Sequence, residues 1–212
     1  MQFETQRLRL RQWHPTPDAR HALDIYGDPQ VIRWMDDDSG QDTSMRQAQG
    51  RLQRYRDQTI SVPGASHRFT SSWAVEQKDI GRAIGQVGLV NLPDLEAAQL
   101  HSIEAIESGD GLPTDYVEMN WHFRPASWGF GYASEAALRI AQHAFEDLNL
   151  SLLLAISHPQ NKRAIALMTR IGMHYDGLTT RRYQGKEQLL YKLSPQDLAT
   201  AQAKQTSALR HK

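Results

Sequence analysis

The sequence predicts an α/β fold with a mixed sheet, and three observations carry that prediction. "YVEMNWHF" (116–123), a helical stretch from Tyr132, "LLLAI" (152–156) and a second helical stretch from Asn161 alternate as strand, helix, strand, helix. Such a βαβα run implies parallel strands joined by right-handed crossovers. "LLLAI" is apolar throughout, as expected of a parallel strand covered on both faces. Strand pairs that read as antiparallel flank this run on both sides, so the sheet is mixed.

Taken in order, "RLRLRQW" (7–13) alternates, with Leu8 and Leu10 on one side and Arg7, Arg9 and Arg11 on the other. This is a half-buried strand, placed at a sheet edge. From Asp18 the period changes to that of a helix carrying Ala22, Leu23, Ile25 and Tyr26. A short segment past Pro29 holds Val31, Ile32 and Met35. After the loop "DDDSGQDTS" (36–44), Ser44 is an N-cap for a helix with an apolar face of Met45, Ala48, Leu52 and Tyr55. "SSWAVEQ" and "AIGQVGLVNL" are strands joined by the turn "KDIGR". Residues 93–115 are long for a connection and read either as a lid or as an irregular excursion. The helix over 132–148 buries Ala133, Ala137, Ile140, Ala141, Ala144 and Phe145. The helix over 161–171 is closed by Gly172. Two strands surround "YQGKEQ", and a polar stretch over 194–212 reads as a helix or a loose end. Neither an internal repeat nor a clear linker interrupts the chain. The expectation is therefore one domain over 1–193 with an insertion at 93–115.

Composition narrows the function. Of 212 residues, Lys+Arg and Asp+Glu contribute 24 each, so the formal net charge is zero. A broad nucleic-acid-binding face would need clustered excess base, so no nucleic-acid partner is expected. There are no cysteines. A disulfide, a thiolate nucleophile and a zinc–thiolate site are thus excluded, and any thioester sulfur must belong to a ligand. No metal is expected. "MQFETQRLRLRQW" has no apolar h-region and no run is long enough to span a bilayer, so the expected location is cytoplasmic, with no membrane partner.

The chemistry begins at "RPASWGFGYASEA" (124–136). Gly129 and Gly131 fall between a strand and a helix. A helix start offers about four unpaired N–H groups and roughly half a positive charge. A turn without β-carbons admits a phosphate closely. The stretch therefore reads either as a phosphate or diphosphate cradle, with main-chain donors from Gly129 to Ser134 and help from Arg124, or simply as a tight turn. A P-loop would need Gly-Lys-Ser/Thr, yet Tyr132 follows Gly131. A dinucleotide fingerprint would need an acid ending the next strand, which instead ends Ala155, Ile156, Ser157.

The turn "WGFGYASEA" resembles the acyl-CoA-binding turn of the GNAT superfamily of N-acetyltransferases, and more narrowly its RimJ/RimL-like branch, which acetylates ribosomal-protein N-termini. "ETQRLRLRQW", "IGQVGLV" and "PQNKRAIALMTRIGM" agree and fall in the expected order, so the resemblance spans about 4–193. It implies a GNAT-type domain with splayed parallel strands and helices on both faces of the sheet. It also implies acetyl-CoA as acyl donor, its diphosphate on the turn formed by Trp128, Gly129, Phe130, Gly131, Tyr132, Ala133 and Ser134. Trp128 replaces the family's Gln/Arg, a change frequent in this branch. Asn161 matches a cofactor-contacting Asn, and its position suits an N-cap as well.

In "VEMNWHFR", Val117, Met119, Trp121 and Phe123 share one face, and Glu118, Asn120, His122 and Arg124 the other. A polar face on a central strand is costly unless it lines a wet cavity. Glu118, Asn120 and His122 are thus candidates for an active cleft. Glu118 is read as general base, a role the resemblance also gives it, or as half of a structural ion pair with Arg7, Arg9 or Arg11. His122 has a suitable unperturbed pKa for proton transfer, with a structural role as the alternative. The resemblance also implies that a main-chain N–H near His122 or Phe123 would hold the oxyanion, a role the family gives to this strand. Met168 stands where many relatives carry a Tyr that protonates the thiolate, which leaves that proton source unassigned. The acceptor is a primary amine, either a protein N-terminus or a small amine. "MDDDSG" (35–40) and Tyr183 match acceptor-side positions of the family. A non-catalytic acyl-CoA-binding regulatory module is the alternative function, and homodimer formation is left open.

Overall fold

The computed structural model describes residues 1–35, 40–62, 65, 68–93, 115–180 and 186–210, with side chains described at all of these except 93, 115 and 205–210. In chain order the elements are β1 (Phe3–Glu4), β2 (Leu8–Arg11), α1 (Ala19–Tyr26), α2 (Pro29–Ile32), α3 (Met45–Asp57), β3 (Thr59–Ile60), β4 (Phe69–Thr70), β5 (Ser72–Gln77), β6 (Arg82–Pro93), β7 (Asp115–Phe123), α4 (Tyr132–Gln142), β8 (Leu153–Ser157), α5 (Lys162–Arg170), β9 (His174–Thr179), β10 (Gln188–Leu193) and α6 (Pro195–Arg210). The expected insertion, apart from its ends at 93 and 115, lies outside the described residues, as do Asp36–Ser39 and Tyr183. The chain forms two compact units. One is Met1–Ile60, His67–Val90 and Met119–Ile140; the other is Ser61–Ser66, Asn91–Glu118 and Ala141–Lys212.

In the first unit the strands neighbour one another in the order β1, β2, β5, β6, β7. β2 is not an edge strand as its sequence suggests: Phe3 pairs opposite Leu10, so the two-residue β1 covers it. The alternation of "LRLR" is real, with Leu8 and Leu10 fully buried. Ala74 and Ala83 sit in one core cluster with Trp13, Ala22, Ile25, Tyr26, Ala48 and Leu52, so α1 and α3 cover that face. Trp73, adjacent to Ala74 and therefore on the opposite face, meets Phe3 at 5.7 Å. Arg139 of α4 lies 4.2 Å over the Phe3 ring. Helices thus cover both faces here. Ser44 caps α3 by accepting from the Gln47 N–H at 3.3 Å. Met45, expected on the apolar face of α3, is exposed instead.

"IGQVGL" needs its glycines for opposite reasons. A β-carbon on Gly85 would lie 2.4 Å from the Phe123 ring, and one on Gly88 would lie 2.5 Å from Gln86 Nε2. Successive strand residues alternate faces, so Gly85 makes room on the apolar face and Gly88 on the polar one.

In the second unit β10 pairs antiparallel with both β8 and β9. β7 pairs parallel with β8 at Glu118 opposite Leu154, which makes the sheet mixed. Leu92, Tyr116, Leu154, Ile156 and Leu190 form its core. Gly172 closes α5 with φ +96°; there a β-carbon would sit 2.9 Å from both Ala201 and the Asp197 carbonyl, so α6 packs on the turn. The polar stretch after Leu193 is a helix rather than a loose end. Ser194 caps it, its hydroxyl oxygen accepting from the Asp197 N–H at 3.2 Å while the hydroxyl donates to Asp197 Oδ2 at 2.6 Å. The expected helix over 132–148 changes character: His143–Asp147 is a π-helical segment, its Leu148 N–H reaching the His143 carbonyl at 3.1 Å. It ends as Asn149 adopts φ 54°, a conformation Asn tolerates. Among the described residues no helix is long and apolar enough to cross a membrane.

Candidate active site

β7 delivers the chain into the glycine turn. The Arg124 N–H donates to the Ile84 carbonyl at 3.0 Å, which extends the pairing with β6 by one residue. Pro125–Ser127 then makes one 3₁₀ turn. The Trp128 indole N–H reaches back to the Phe123 carbonyl at 2.8 Å, and its ring packs on the core cluster of α1 and α3. Trp128 therefore brackets the start of the turn.

Gly129 and Gly131 carry φ of +85° and +80°, whereas Phe130 between them does not share the positive sign. Alternation of this kind turns successive N–H groups toward one side, the geometry of an anion-binding nest. Only glycine holds such φ values without strain. A β-carbon on Gly129 would meet no atom within 4 Å; one on Gly131 would meet only Arg7 Nη2, at 3.5 Å. The Glu135 N–H bonds the Gly131 carbonyl at 3.0 Å, so α4 starts at the glycine turn and its first-turn N–H groups face that end. The open space, the nest and the positive helix end together fit a diphosphate. Arg124 adds to that fit. Its Nε is buried with no hydrogen-bond partner among the described residues. Burial first, and the nearby Arg82 guanidinium second, hold its pKa below the ordinary value, and a bound anion would relieve both.

A feature the sequence reading missed holds this turn in place. Arg7 donates from Nη1 to the Phe130 carbonyl at 2.9 Å and from Nε to Glu135 Oε2 at 2.7 Å. Its guanidinium lies 4.6 Å over the Tyr132 ring, which in turn stacks on the exposed Phe130 at 5.9 Å. Glu135 Oε1 also accepts from Thr5 Oγ1 at 2.6 Å and from the Arg7 N–H at 2.9 Å. Burial alone would raise the Glu135 pKa, but the Thr5 hydroxyl, the Arg7 N–H and the Arg7 side chain together hold it lowered. Glu135 was legible as a first-turn acid in "YASEA", but Arg7 read as one more surface arginine of an alternating strand.

On β7, Glu118 is buried at 5% exposure. The arginines considered as its ion-pair partners are engaged elsewhere: Arg7 on Glu135, Arg9 on Glu4 and Glu76, Arg11 on Glu76 and Asp18. Asn120 Oδ1 accepts from Gln86 Nε2 at 3.2 Å, and the same amide reaches Ser72 Oγ at 3.3 Å. The Gln86 Oε1 is buried with no hydrogen-bond partner among the described residues. His122 meets the Tyr26 ring edge-on at 5.7 Å. Tyr26 packs on Tyr55 and lies under Arg51, itself fully buried and paired with Asp42 at 2.9 Å. Arg51 Nη2 also holds the Gly40 carbonyl at 2.6 Å, anchoring the backbone at Gly40. Gln86, Tyr26 and Arg51 were not singled out by the sequence reading, because each belongs to a strand or helix whose pattern looks purely structural.

In the second unit Asn161 is the N-cap of α5, its Oδ1 accepting from the Ala164 N–H at 3.3 Å. Met168 is fully buried in the core.

Against this geometry, the comparisons with known proteins are direct. Residues 7–174 match the acetyltransferase (GNAT) domain model. The chain belongs to the GNAT acetyltransferase family, whose members use acetyl-CoA to acetylate amines. It is 26% identical over 186 residues to the uncharacterized N-acetyltransferase p20 of Bacillus licheniformis, covering 88% of this chain and 89% of that protein. The crystal structure of the acetyltransferase (GNAT family) from Bacillus anthracis superposes with TM-score 0.67 at 16% identity, over 92% of this chain and 98% of that one. Mycobacterium smegmatis RimJ in complex with CoA-disulfide superposes with TM-score 0.64 at 18% identity, over 90% and 83% respectively. Both share the fold of this chain.

Proposed function

We propose that the protein transfers an acetyl group from acetyl-CoA directly to a primary amine, a protein N-terminus or a small amine, within a catalytic domain spanning 1–193. The observation that carries the proposal is the Gly129–Phe130–Gly131 nest opening onto the start of α4, with space where β-carbons would stand. The N–H groups of Gly129 to Ser134 hold the diphosphate, and Arg124 supplements them. Asn161 contributes its remaining amide N–H groups to the cofactor while its oxygen caps α5.

Bound acetyl-CoA supplies the activated acetyl group. Glu118 takes the proton released by the amine, directly or through one water, as the new C–N bond forms and the C–S bond breaks. The main-chain N–H at His122 or Phe123 steadies the oxyanion. His122 shares the polar face and serves as a second proton-handling group. Met168 cannot donate a proton, so the thiolate takes its proton from a group other than the one at that position. The absence of cysteine from the chain supports direct transfer.

An amine panel with acetyl-CoA, followed by release of free thiol, tests the reading. Turnover on at least one primary amine is expected. CoA binding with no turnover on peptide N-termini, amino acids, polyamines or aminoglycosides would instead support a regulatory acyl-CoA-binding module.

A further inference from the structure

We propose that Arg7 is a positioning residue that aims the main-chain donors of the glycine turn, which makes the N-terminal segment Thr5–Arg7 part of the cofactor-binding machinery. The inference rests on the acetyl-CoA reading above. In a trans peptide the C=O and N–H vectors point in opposite directions. Arg7 Nη1 pins the Phe130 carbonyl at 2.9 Å, so the Gly131 N–H of that same peptide is turned the other way. Gly131, on the C-terminal side of this peptide, gives it unusual rotational freedom, and the Arg7 bond removes it.

Glu135 completes the device. Its carboxylate lies in the first turn of α4, where a free negative charge would itself occupy the positive helix end. Instead it is drawn away by four donors: Thr5 Oγ1 at 2.6 Å, the Arg7 N–H at 2.9 Å, Arg7 Nε at 2.7 Å and Arg7 Nη2 at 2.7 Å. Arg7 thus fixes one donor and keeps a competing anion off the others. The planar fork of Arg suits this double task; a Lys, with a single point charge, cannot bond the carbonyl and span the carboxylate with the same geometry.

The test compares two ligands on the full-length protein. CoA carries the diphosphate and pantetheine does not, and their dissociation constants are measured for wild type, Arg7→Ala and Arg7→Lys, with circular dichroism to establish folding. In wild type CoA binds far more tightly than pantetheine. In Arg7→Ala the CoA constant rises roughly tenfold to a hundredfold while that for pantetheine stays within about twofold. Arg7→Lys behaves like Arg7→Ala, and it gives the reading if the alanine variant does not fold. Unchanged CoA affinity, equal losses for both ligands or full rescue by Lys would overturn the positioning role. If wild type binds pantetheine as tightly as CoA, the diphosphate cradle itself is wrong, an outcome distinct from failure of the Arg7 proposal alone.

Discussion

Gly131 combines a φ of +80° with open space beyond its α-carbon. A valine there faces backbone strain and fills the approach of a ligand to the nest. Gly131→Val should weaken CoA binding at least about tenfold by calorimetry, with little change in fold; unchanged affinity would discredit the nest. Glu118 makes a different prediction, because it is assigned to the chemistry and not to binding. Glu118→Gln should lower kcat by about a hundredfold or more and leave CoA affinity nearly intact. A variant with wild-type rates across pH would remove Glu118 from the base role. The glycine pair and the buried acid were legible as single letters, because each breaks a local rule. Two glycines have no place beside a helix start unless the backbone is needed, and a Glu has none in a central strand. Arg7 breaks no such rule, and its role depends on Glu135, distant in sequence.

At the scale of elements, β6 shows how two residues set a local layer. Gly85 leaves the space taken by Phe123, where an added β-carbon would stand 2.4 Å from ring atoms. Gly85→Ala should destabilise by about 1–3 kcal/mol, read as a lowered midpoint in urea with unchanged slope. Destabilisation below a few tenths of a kcal/mol would show that Phe123 relocates freely. Most elements were legible from periodicity: β2, α1, α3, the β5–β6 pair with its Gly81 turn at φ +59°, and α5 between Asn161 and Gly172. The misses share a cause. β1 is two residues long and carries no period, so β2 looked like an edge. The π-helical segment uses the same apolar residues as an α-helix, and only the wider hydrogen-bond step distinguishes it. The Ser194–Asp197 cap of α6 lay in the sequence, but a polar stretch gave no apolar face to accompany it.

For the whole molecule, several acids and one histidine impose the same pH dependence. Glu4 is held at about 2, against an ordinary 4.5, by hydrogen bonds from Lys78 and Arg9. Asp18, Glu135 and Asp197 are also lowered: burial opposes this in each case, and the Arg11 fork and His14 N–H, the Thr5 and Arg7 donors, and Ser194 with His174 respectively outweigh it. Groups with a depressed folded pKa contribute stability that is complete above their unfolded pKa and is lost as pH falls through the folded one. His21, lowered chiefly by burial from 6.5, acts in the same direction, because the unfolded chain takes up its proton first. Tm should therefore be level from about pH 6.5 to about 10, where the raised pKa of buried Tyr26 and Tyr116 ends the plateau, decline slightly below 6.5, and fall steeply between about 4.5 and 2. A Tm that held constant down to pH 3 would contradict the ion-pair arrangement around β2 and α4.

The central claim is that main-chain N–H groups from Gly129 to Ser134 grip the diphosphate of acetyl-CoA. Titration of ¹⁵N-labelled protein with CoA, followed by amide resonances, tests it most directly. The largest downfield proton shifts are expected at Gly129, Gly131, Tyr132 and Ala133, with far smaller ones when pantetheine replaces CoA. Saturable CoA binding that leaves those four resonances in place while moving others would contradict it.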